Sequence, residues 1–448
     1  MSTAATEVGS LRRRQALLWL LASSLLALLL WFYSAGFFLY AAVVTAAILG
    51  IGAFLPAASL LGLEMSRSLG SETVELGETV ESRLVLRNNK KLPALWLFWR
   101  EEIEPGLTAE GITCGFQTLT SEETIQSSCT LQGTRRGLFR VGPAVIETSD
   151  PLGLVRRFRV DPEVRFLTVL PRTVDIGPGW PLGHRPIHEV PRRRSLFEDP
   201  SRFLGVRDYR AGDSLRRIHW RATARSGRLQ VKLYEPAVLE GVLLAVEMGK
   251  AAWPLAPDET GADPAVELAV TAAASIAAFV LANGQEVGLI SNGGDAADRY
   301  PSGSSGSSGW TGGSFRRLED ALQETEARHG IPAFHPLEVE PGRGRWQHDR
   351  LRTALARLTL APGLTLAELL VAEAPRLPRS LVVLAVTPDL GTGLGVALAS
   401  LRSSGFEVGV VWIRKAGAEP VGASLPEGVP IYPVQDETDL ERLGAQAL

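Results

Sequence analysis

Along this 448-residue chain the pattern of apolar and polar positions changes character three times. No charge occurs from Leu17 to Tyr33 or from Phe37 to Leu63, and only Ser34-Ala35-Gly36 separates the two runs. As a helix, the first run is roughly 26 Å long at 1.5 Å per residue, close to the ~30 Å of a bilayer core. The second run is longer and can tilt, or end at Pro56. Trp31, Phe32, Tyr33, Phe37, Phe38 and Tyr40 gather at the connection, and such rings favour the membrane–water interface. The pattern predicts a hairpin of two transmembrane helices over 17–63, preceded by a short tail over 1–16. A cleaved signal peptide fits less well, because the apolar region is too long and a second span follows it. Arg12, Arg13 and Arg14 precede the first span and Arg67 follows the second, so the positive-inside rule places both ends in the cytoplasm. The soluble remainder is then expected on the cytoplasmic side of the inner (plasma) membrane.

After Ser71 the period becomes two. Thr73–Leu76 and Thr79–Leu86 alternate as half-buried strands with Gly77-Glu78 as the turn between them. A polar turn, Asn88–Lys91, leads into the run Ala94–Trp99. Ile125–Leu131 and Leu138–Ile146 flank Gly133–Gly137, and Asp150-Pro151-Leu152-Gly153-Leu154 is a tight turn before a strand at Arg165–Leu170. Short strands at even spacing predict an antiparallel β-sandwich over 71–170. From residue 236 onward, short apolar runs alternate with helical patterns. The strands are expected at Val242–Val246, Glu286–Ile290, Ser380–Val386, Glu407–Ile413 and Ile431–Val434. Helices are expected at Ala265–Leu281, Phe315–Arg328, Asp349–Leu358, Leu364–Ala374 and Gly393–Ser403. That alternation predicts a doubly wound α/β domain over 236–448, interrupted by a flexible Gly/Ser-rich insertion within 296–314. The whole is an α+β multidomain chain.

Composition narrows the chemistry. Apolar residues make up 45% and charged residues 21%, so the chain folds, and a net charge of −3 gives no global attraction to nucleic acid. Cys114 and Cys129 fit no zinc spacing, and a chain of this size needs no disulfide staple, so both read as buried or half-buried thiols. There is no HExxH, no GxxxxGK[ST] and no GxSxG, and no cofactor is expected.

The local exception is a basic segment within 171–235. From Arg192 to Lys232 it holds a dozen Arg and Lys against four acids. Its centre runs Arg207-Asp208-Tyr209-Arg210-Ala211-Gly212-Asp213, then Arg217-Ile218-His219-Trp220 and Ala224-Arg225. Asp213 is placed to cap a helix starting at Ser214, with Leu215, Ile218 and Ala222 on one face and Gly227 as its end. Three uses stay open. The charges of Arg207, Asp208, Asp213 and Arg225 can pair as an internal clasp, the arginines can fork onto an anionic partner, or they can meet anionic lipid.

These residues resemble the signature of the bacterial family called domain of unknown function 58, roughly Arg-x-Tyr-x-x-Gly-Asp, then Arg-x-Ile-Asp/His-Trp, then Ala-Arg. Arg207, Tyr209, Gly212, Asp213, Arg217, His219, Trp220 and Arg225 carry the match. The membrane hairpin, the sandwich and the Asp-Pro-Leu-Gly-Leu turn are also similar to that family. The resemblance implies a von Willebrand factor A-like domain in the C-terminal half. It also implies partnership with a MoxR-type AAA+ ATPase, beside which members are often encoded together with a transglutaminase-like membrane protein. A von Willebrand-type domain would carry Asp-x-Ser-x-Ser after its first strand to hold a divalent cation. The matching place here reads Glu247-Met248-Gly249-Lys250-Ala251. The acid is longer, both hydroxyls are gone, and Lys250 can pair with Glu247 or with Asp389 of Thr387-Pro388-Asp389, so a degenerate metal site is expected. Together these readings predict a membrane-tethered scaffold without catalytic activity, bound to the lipid bilayer and to a protein partner. The alternatives are an anionic-ligand or lipid sensor using the arginines, and a hydrolase drawing on Asp208, Asp213 and His219.

Overall fold

The computed structural model describes residues 18–29, 35–161, 163–177, 198–210, 218–236, 241–253, 263–300, 315–320, 335–414 and 425–442. The chain is a mixed α and β protein that divides into two compact units: Met1–Val169 with Arg299–Pro332, and Leu170–Asp298 with Ala333–Leu448. Much of the expected Gly/Ser insertion, 301–314, lies outside the described residues. Its flanking residues Arg299–Pro332 group with the first unit, and Phe315 bridges to Phe158 there. Most of the helix expected at Phe315–Arg328 is likewise outside the described residues.

The first unit begins with α1 (Leu18–Leu29) and α2 (Ala35–Leu60). The connection between them, 30–34, is not described. Two helices of the described chain are long and apolar enough to cross a membrane, Leu39–Leu60 within α2 and Pro264–Ala282. Only 6% of the former is buried, against 61% of the latter, which is the core helix of the second unit. Over its described length α1 has twelve residues, about 18 Å, which is short of a bilayer core.

The apolar run expected to continue to Leu63 stops at Leu60, and Leu63 opens a strand. The C-terminal carbonyls of α2 have no helical partners, and side chains from the strands supply them. Lys90 Nζ donates to the oxygens of Ala58 and Ser59, and the Arg159 guanidinium donates to Leu60 O. Burial, reinforced by the nearby Arg159 cation, pushes the Lys90 ammonium down to about 8.

Ten strands follow: β1 (Leu63–Leu69), β2 (Thr73–Glu75), β3 (Thr79–Asn88), β4 (Ala94–Ile103), β5 (Leu107–Gly111), β6 (Cys114–Leu119), β7 (Thr124–Gly133), β8 (Gly137–Ser149), β9 (Arg156–Asp161) and β10 (Arg165–Leu170). One sheet has the order β1-β3-β7-β5. The other runs β2-β10-β8-β4-β6, with β9 also on β8. The turn at Gly77-Glu78 does not make a hairpin, because β2 and β3 belong to different sheets. Inward residues of both sheets meet in two clusters, one around Leu63, Leu86, Leu97 and Ile146 and one around Leu131, Phe139, Val141 and Leu167.

The two cysteines part company. Cys114 is exposed on β6, against expectation, while Cys129 is buried on β7. β6 and β7 lie in different sheets, and neither thiol is in a disulfide. Burial, reinforced by the Glu101 carboxylate, pushes the Cys129 thiol up to about 11, so little nucleophilic thiolate exists at neutral pH. A native sample at pH 7.5 should therefore take up one maleimide per chain, at Cys114, and a second only after denaturation. Two rapid native equivalents would contradict the burial of Cys129.

The second unit opens with the antiparallel pair β11 (Glu198–Asp208) and β12 (Gln230–Pro236), with α3 (Trp220–Ser226) between them. Its main body contains β13 (Gly241–Val246), α4 (Pro264–Ala282), β14 (Glu286–Ser291), β15 (Gly294–Asp295), β16 (Leu337–Gly342), α5 (Gly344–Arg357), β17 (Leu358–Thr359), α6 (Leu366–Glu373), β18 (Leu381–Thr387), α7 (Thr392–Ser403), β19 (Glu407–Ile413), β20 (Ile431–Val434) and α8 (Glu437–Arg442). The six-stranded sheet has the order β16-β14-β13-β18-β19-β20 and is parallel except for its edge strand β16. Numbered from β13, this is the 3-2-1-4-5-6 order of doubly wound sheets.

Fully apolar central strands follow from burial on both faces. Val242, Leu244 and Val246 face the layer with α4, α5 and α8, and Leu243 and Ala245 face α6 and α7. The two-residue strands β15 and β17 pair outside this sheet, beside a two-pronged contact of the Arg357 guanidinium with Asp295. Asp263 caps α4, accepting from the amides of Ala265 (2.9 Å) and Val266 (3.4 Å), with Pro264 in the first turn where its missing N–H costs nothing.

Candidate functional site

Two places in the second unit hold the residues singled out by the sequence. The first is the basic signature. Gly212, Asp213 and Arg217 lie outside the described residues, so the expected Asp213 cap is not described. The helix that is described differs from expectation in its start. Ile218 is drawn into a β-bridge with Val231 and buried, which takes it out of helical register. α3 then starts at Trp220, and His219 caps it, its Nδ1 accepting from Ala222 N at 3.0 Å. That bond requires the ring to be unprotonated at Nδ1. Gly227 ends the helix as expected, at φ +68°, with its N–H on Thr223 O.

The connections that hold this segment together run through Gln230. Its Nε2 donates to Asp208 Oδ1, its N–H to Thr223 Oγ1 at 3.0 Å, and its carbonyl accepts from His219 N at 2.8 Å. Tyr209 N donates to Leu229 O at 2.8 Å, and an Arg207 guanidinium N–H to Asp208 O at 3.1 Å. His219 and Asp208, two of the three hydrolase candidates, are thus engaged in backbone and amide contacts. Trp220 is 69% exposed, and Arg225 is exposed on the last turn of α3.

The second place is the carboxyl edge of the parallel sheet. The strand order reverses between β13 and β18, and in such sheets a crevice forms there. A cavity of about 430 Å³ occupies that point, with Glu247, Gly249, Lys250 and Ala251 after β13, Thr387 and Asp389 after β18, and Pro362–Ala367 before and into α6. The structure therefore brings together Glu247, Gly249, Ala251, Thr387 and Asp389, the residues of the expected degenerate metal site.

Their bonding explains what they do. The Glu247 side chain is buried, with Oε1 accepting from Gly249 N at 2.8 Å and Asn292 Nδ2 at 2.6 Å, and Oε2 accepting from Leu366 N at 3.3 Å. Leu366 is the first residue of α6, where helix dipole and free amides favour a carboxylate. Asn292 locks the arrangement, accepting from Met248 N at 2.7 Å and donating to Leu364 O at 2.8 Å. Trp253 Nε1 donates to the Glu247 carbonyl at 3.1 Å. Across the cavity, Thr387 Oγ1 donates to Asp389 O and accepts from Asp389 N, and Asp389 Oδ1 accepts from Gly391 N ahead of α7.

These groups do not suit a divalent cation, which needs six or more oxygens with free lone pairs. Both Glu247 oxygens face N–H donors, and the Thr387 hydroxyl is turned to the backbone. Among the described residues no group of three or more His, Cys, Asp and Glu side chains is arranged to hold a metal. Nor does an ion pair join Lys250 to Glu247 or Asp389 among the described residues; amides and Asn292 take the place expected of Lys250.

Sequence reasoning does not single out Asn292 or the Thr365–Glu368 capping box that starts α6. The latter is legible as Thr-x-x-Glu ahead of an apolar run, and Asn292 as a polar residue just past an apolar strand.

Residues 205–310, from β11 through the signature to the end of β14 and beyond, match the family described as Protein of unknown function DUF58. No curated protein matches the chain. Among solved structures, it is similar to the CARDB domain of a Pyrococcus furiosus protein at 13% identity, over 24% of this chain and 94% of that one, with a TM-score of 0.18. It is also similar to a PapD-like domain of human CEP192 at 14% identity, over 24% and 85%, with a TM-score of 0.17. A FixG-related protein from Vibrio parahaemolyticus is 8% identical over 24% and 96%, again at 0.17.

Proposed function

We propose that this protein is a membrane-anchored scaffold whose second unit, a von Willebrand factor A-like domain with a degenerate metal site, recognises a protein partner at its carboxyl edge without catalysing a reaction. In this reading α1 and α2 form a hairpin in the inner membrane, the first unit is a cytoplasmic β-sandwich, and the partner is a MoxR-type AAA+ ATPase, as the family resemblance implies. The observation that carries the proposal is the cavity between β13 and β18. It is formed at the place where doubly wound sheets bind, yet the Glu247 carboxylate is taken up by amides and, among the described residues that line it, no nucleophile stands beside a free base. What it offers a partner is one exposed cation, Lys250, one exposed carboxylate, Asp389, and an apolar rim at Leu364, 51% exposed. Such a mixture of apolar contact with a few charges is the make-up of a protein-recognition patch.

The test uses the full chain in detergent and a purified MoxR-type ATPase with ATP, with ADP or without nucleotide. Binding is expected in at least one nucleotide state, weakened at least tenfold by Lys250→Glu or Leu364→Arg, each at an exposed position. Absence of binding in every state would remove this partner from the proposal.

A further inference from the structure

In the first unit, the turn between β8 and β9 lies against α2 well before that helix ends. A Cβ placed on Gly52 would stand 3.6 Å from Asp150 Oδ2 and 3.7 Å from Asp150 Cβ. Gly52 precedes Leu60 by eight residues, about 12 Å along the helix axis. From Ala35 to Gly52 the helix has eighteen residues, about 27 Å, and beyond that point its faces become covered: Pro56, Ser59 and Leu60 are buried. The open length therefore matches the ~30 Å hydrocarbon core, and the bilayer surface falls near Gly52 instead of at Leu60.

The turn at that level is built to present apolar side chains. Asp150 is buried, with its carboxylate accepting from Leu152 N at 3.1 Å and Val155 N at 2.6 Å, while Gly153 takes φ +67° and donates to Asp150 O. All the polar work of the turn points inward. Leu152 and Leu154 are left outward, 64% and 56% exposed. Arg156 and Arg157 follow directly, and Lys90 and Arg159 stand at the end of α2. The acids of this end are the buried Asp150, Glu64 on β1 opposite Arg87, Glu147, which pairs with Arg156 at 3.3 Å, and Glu122 and Glu123 on the β6–β7 connection.

We propose that the Asp150–Val155 turn is a bilayer-docking element: Leu152 and Leu154 enter the interfacial layer of the membrane that α2 crosses, with the basic residues behind them at the anionic headgroups. Apolar tips at the acyl boundary with cations above them are the arrangement by which peripheral elements hold to anionic lipid. The inference rests on α2 spanning the membrane, and it adds that the first unit is held flat against the bilayer instead of hanging from a flexible tether.

The experiment places the full chain, carrying Cys114→Ser, in nanodiscs of phosphatidylcholine with about a third phosphatidylglycerol, a composition chosen for negative surface charge. Single exposed positions are labelled with a polarity-sensitive fluorophore through Leu152→Cys, Tyr40→Cys and Glu78→Cys. Glu78 lies at the opposite end of β3 from Lys90. Nitroxide lipid is expected to quench the label at 152 at least twofold more than the label at 78, with iodide showing the reverse order. Strong lipid quenching at 40 together with equal behaviour at 152 and 78 would overturn the docking proposal and leave the anchor intact. Absence of lipid quenching at 40 would overturn the anchor and the docking proposal with it.

Discussion

Replacing Glu101 with alanine is expected to destabilise the first unit by about 3–5 kcal/mol, the usual cost of leaving one partner of a buried ion pair alone. Arg67 lies on β1, where the alternation that turns Leu63 and Met65 inward also turns Arg67 inward. Its side chain is 0% exposed and that of Glu101 is 2% exposed, with Nε to Oε1 at 2.5 Å. A second nitrogen donates to the Glu163 carbonyl at 2.6 Å. The guanidinium also lies over Gly142, at φ +97°, where a Cβ would collide with it. Without Glu101 that cation keeps its desolvation cost and loses its charged acceptor. Hydrogen exchange on the full chain in detergent reads the result. Amides of β1, β3 and β4 should lose protection, while those of β13 and β18 serve as an internal reference in the other unit. The double change Arg67→Met with Glu101→Leu should recover most of the loss, since an apolar pair of similar volume carries no desolvation term. Unchanged exchange in β1 after Glu101→Ala would show that the pair is not the fastening described here.

The same residue explains part of what the sequence conceals. Leu63–Leu69 alternates as a strand should, but it follows an apolar helix without a break, and an arginine at an inward position reads as a solvent-facing one. β9, Arg156–Asp161, carries four charges in six residues and hides its two core residues, Phe158 and Val160. By contrast β13, β18 and β19 are apolar apart from Thr387 and Glu407 at strand ends, and stand within a residue of the ends that periodicity predicts, as does α4. Local pattern suffices where burial is symmetrical and fails where one buried charge is satisfied by a partner more than thirty positions away. The sites divide similarly. The residue types after β13 and β18 predict that the carboxyl-edge cluster departs from a cation site, and the cavity gathers those residues together. The cap of α3 was not legible. Asp213, the better capping residue by type, lies outside the described residues, and the bridge of Ile218 to Val231, thirteen positions away, leaves α3 to start at Trp220 with His219 as its cap. The partner of Glu247 was hidden for the same reason: Asn292 is forty-five positions away, brought near only because β13 and β14 are neighbours in the sheet.

That contact underlies the second large effect. Glu247→Ala removes the acceptor for Gly249 N, Asn292 Nδ2 and Leu366 N at a buried position, leaving the two amides without it and Asn292 Nδ2 with Leu364 O alone. Bonds to a charged acceptor contribute about 1.5–3 kcal/mol each and are not additive, so a loss of about 4 kcal/mol in the second unit is the reasonable expectation. It should appear first as faster exchange in α6, whose N-terminal amide is released, and in the 362–367 segment that lines the cavity. Glu247→Gln keeps the shape but turns an NH₂ toward one of the donors, and its loss should fall between that of alanine and zero. Binding of the partner ATPase should weaken in the same order, because the floor of the cavity is what these bonds hold in place. A structural carboxylate and a metal ligand part company under one further condition. If Glu247 were a ligand, millimolar magnesium would protect α6 and the 362–367 segment in the native protein and have no effect in Glu247→Ala. Equal exchange with and without magnesium in the native chain, together with the large loss in the alanine variant, is the result that the amide-bound carboxylate requires.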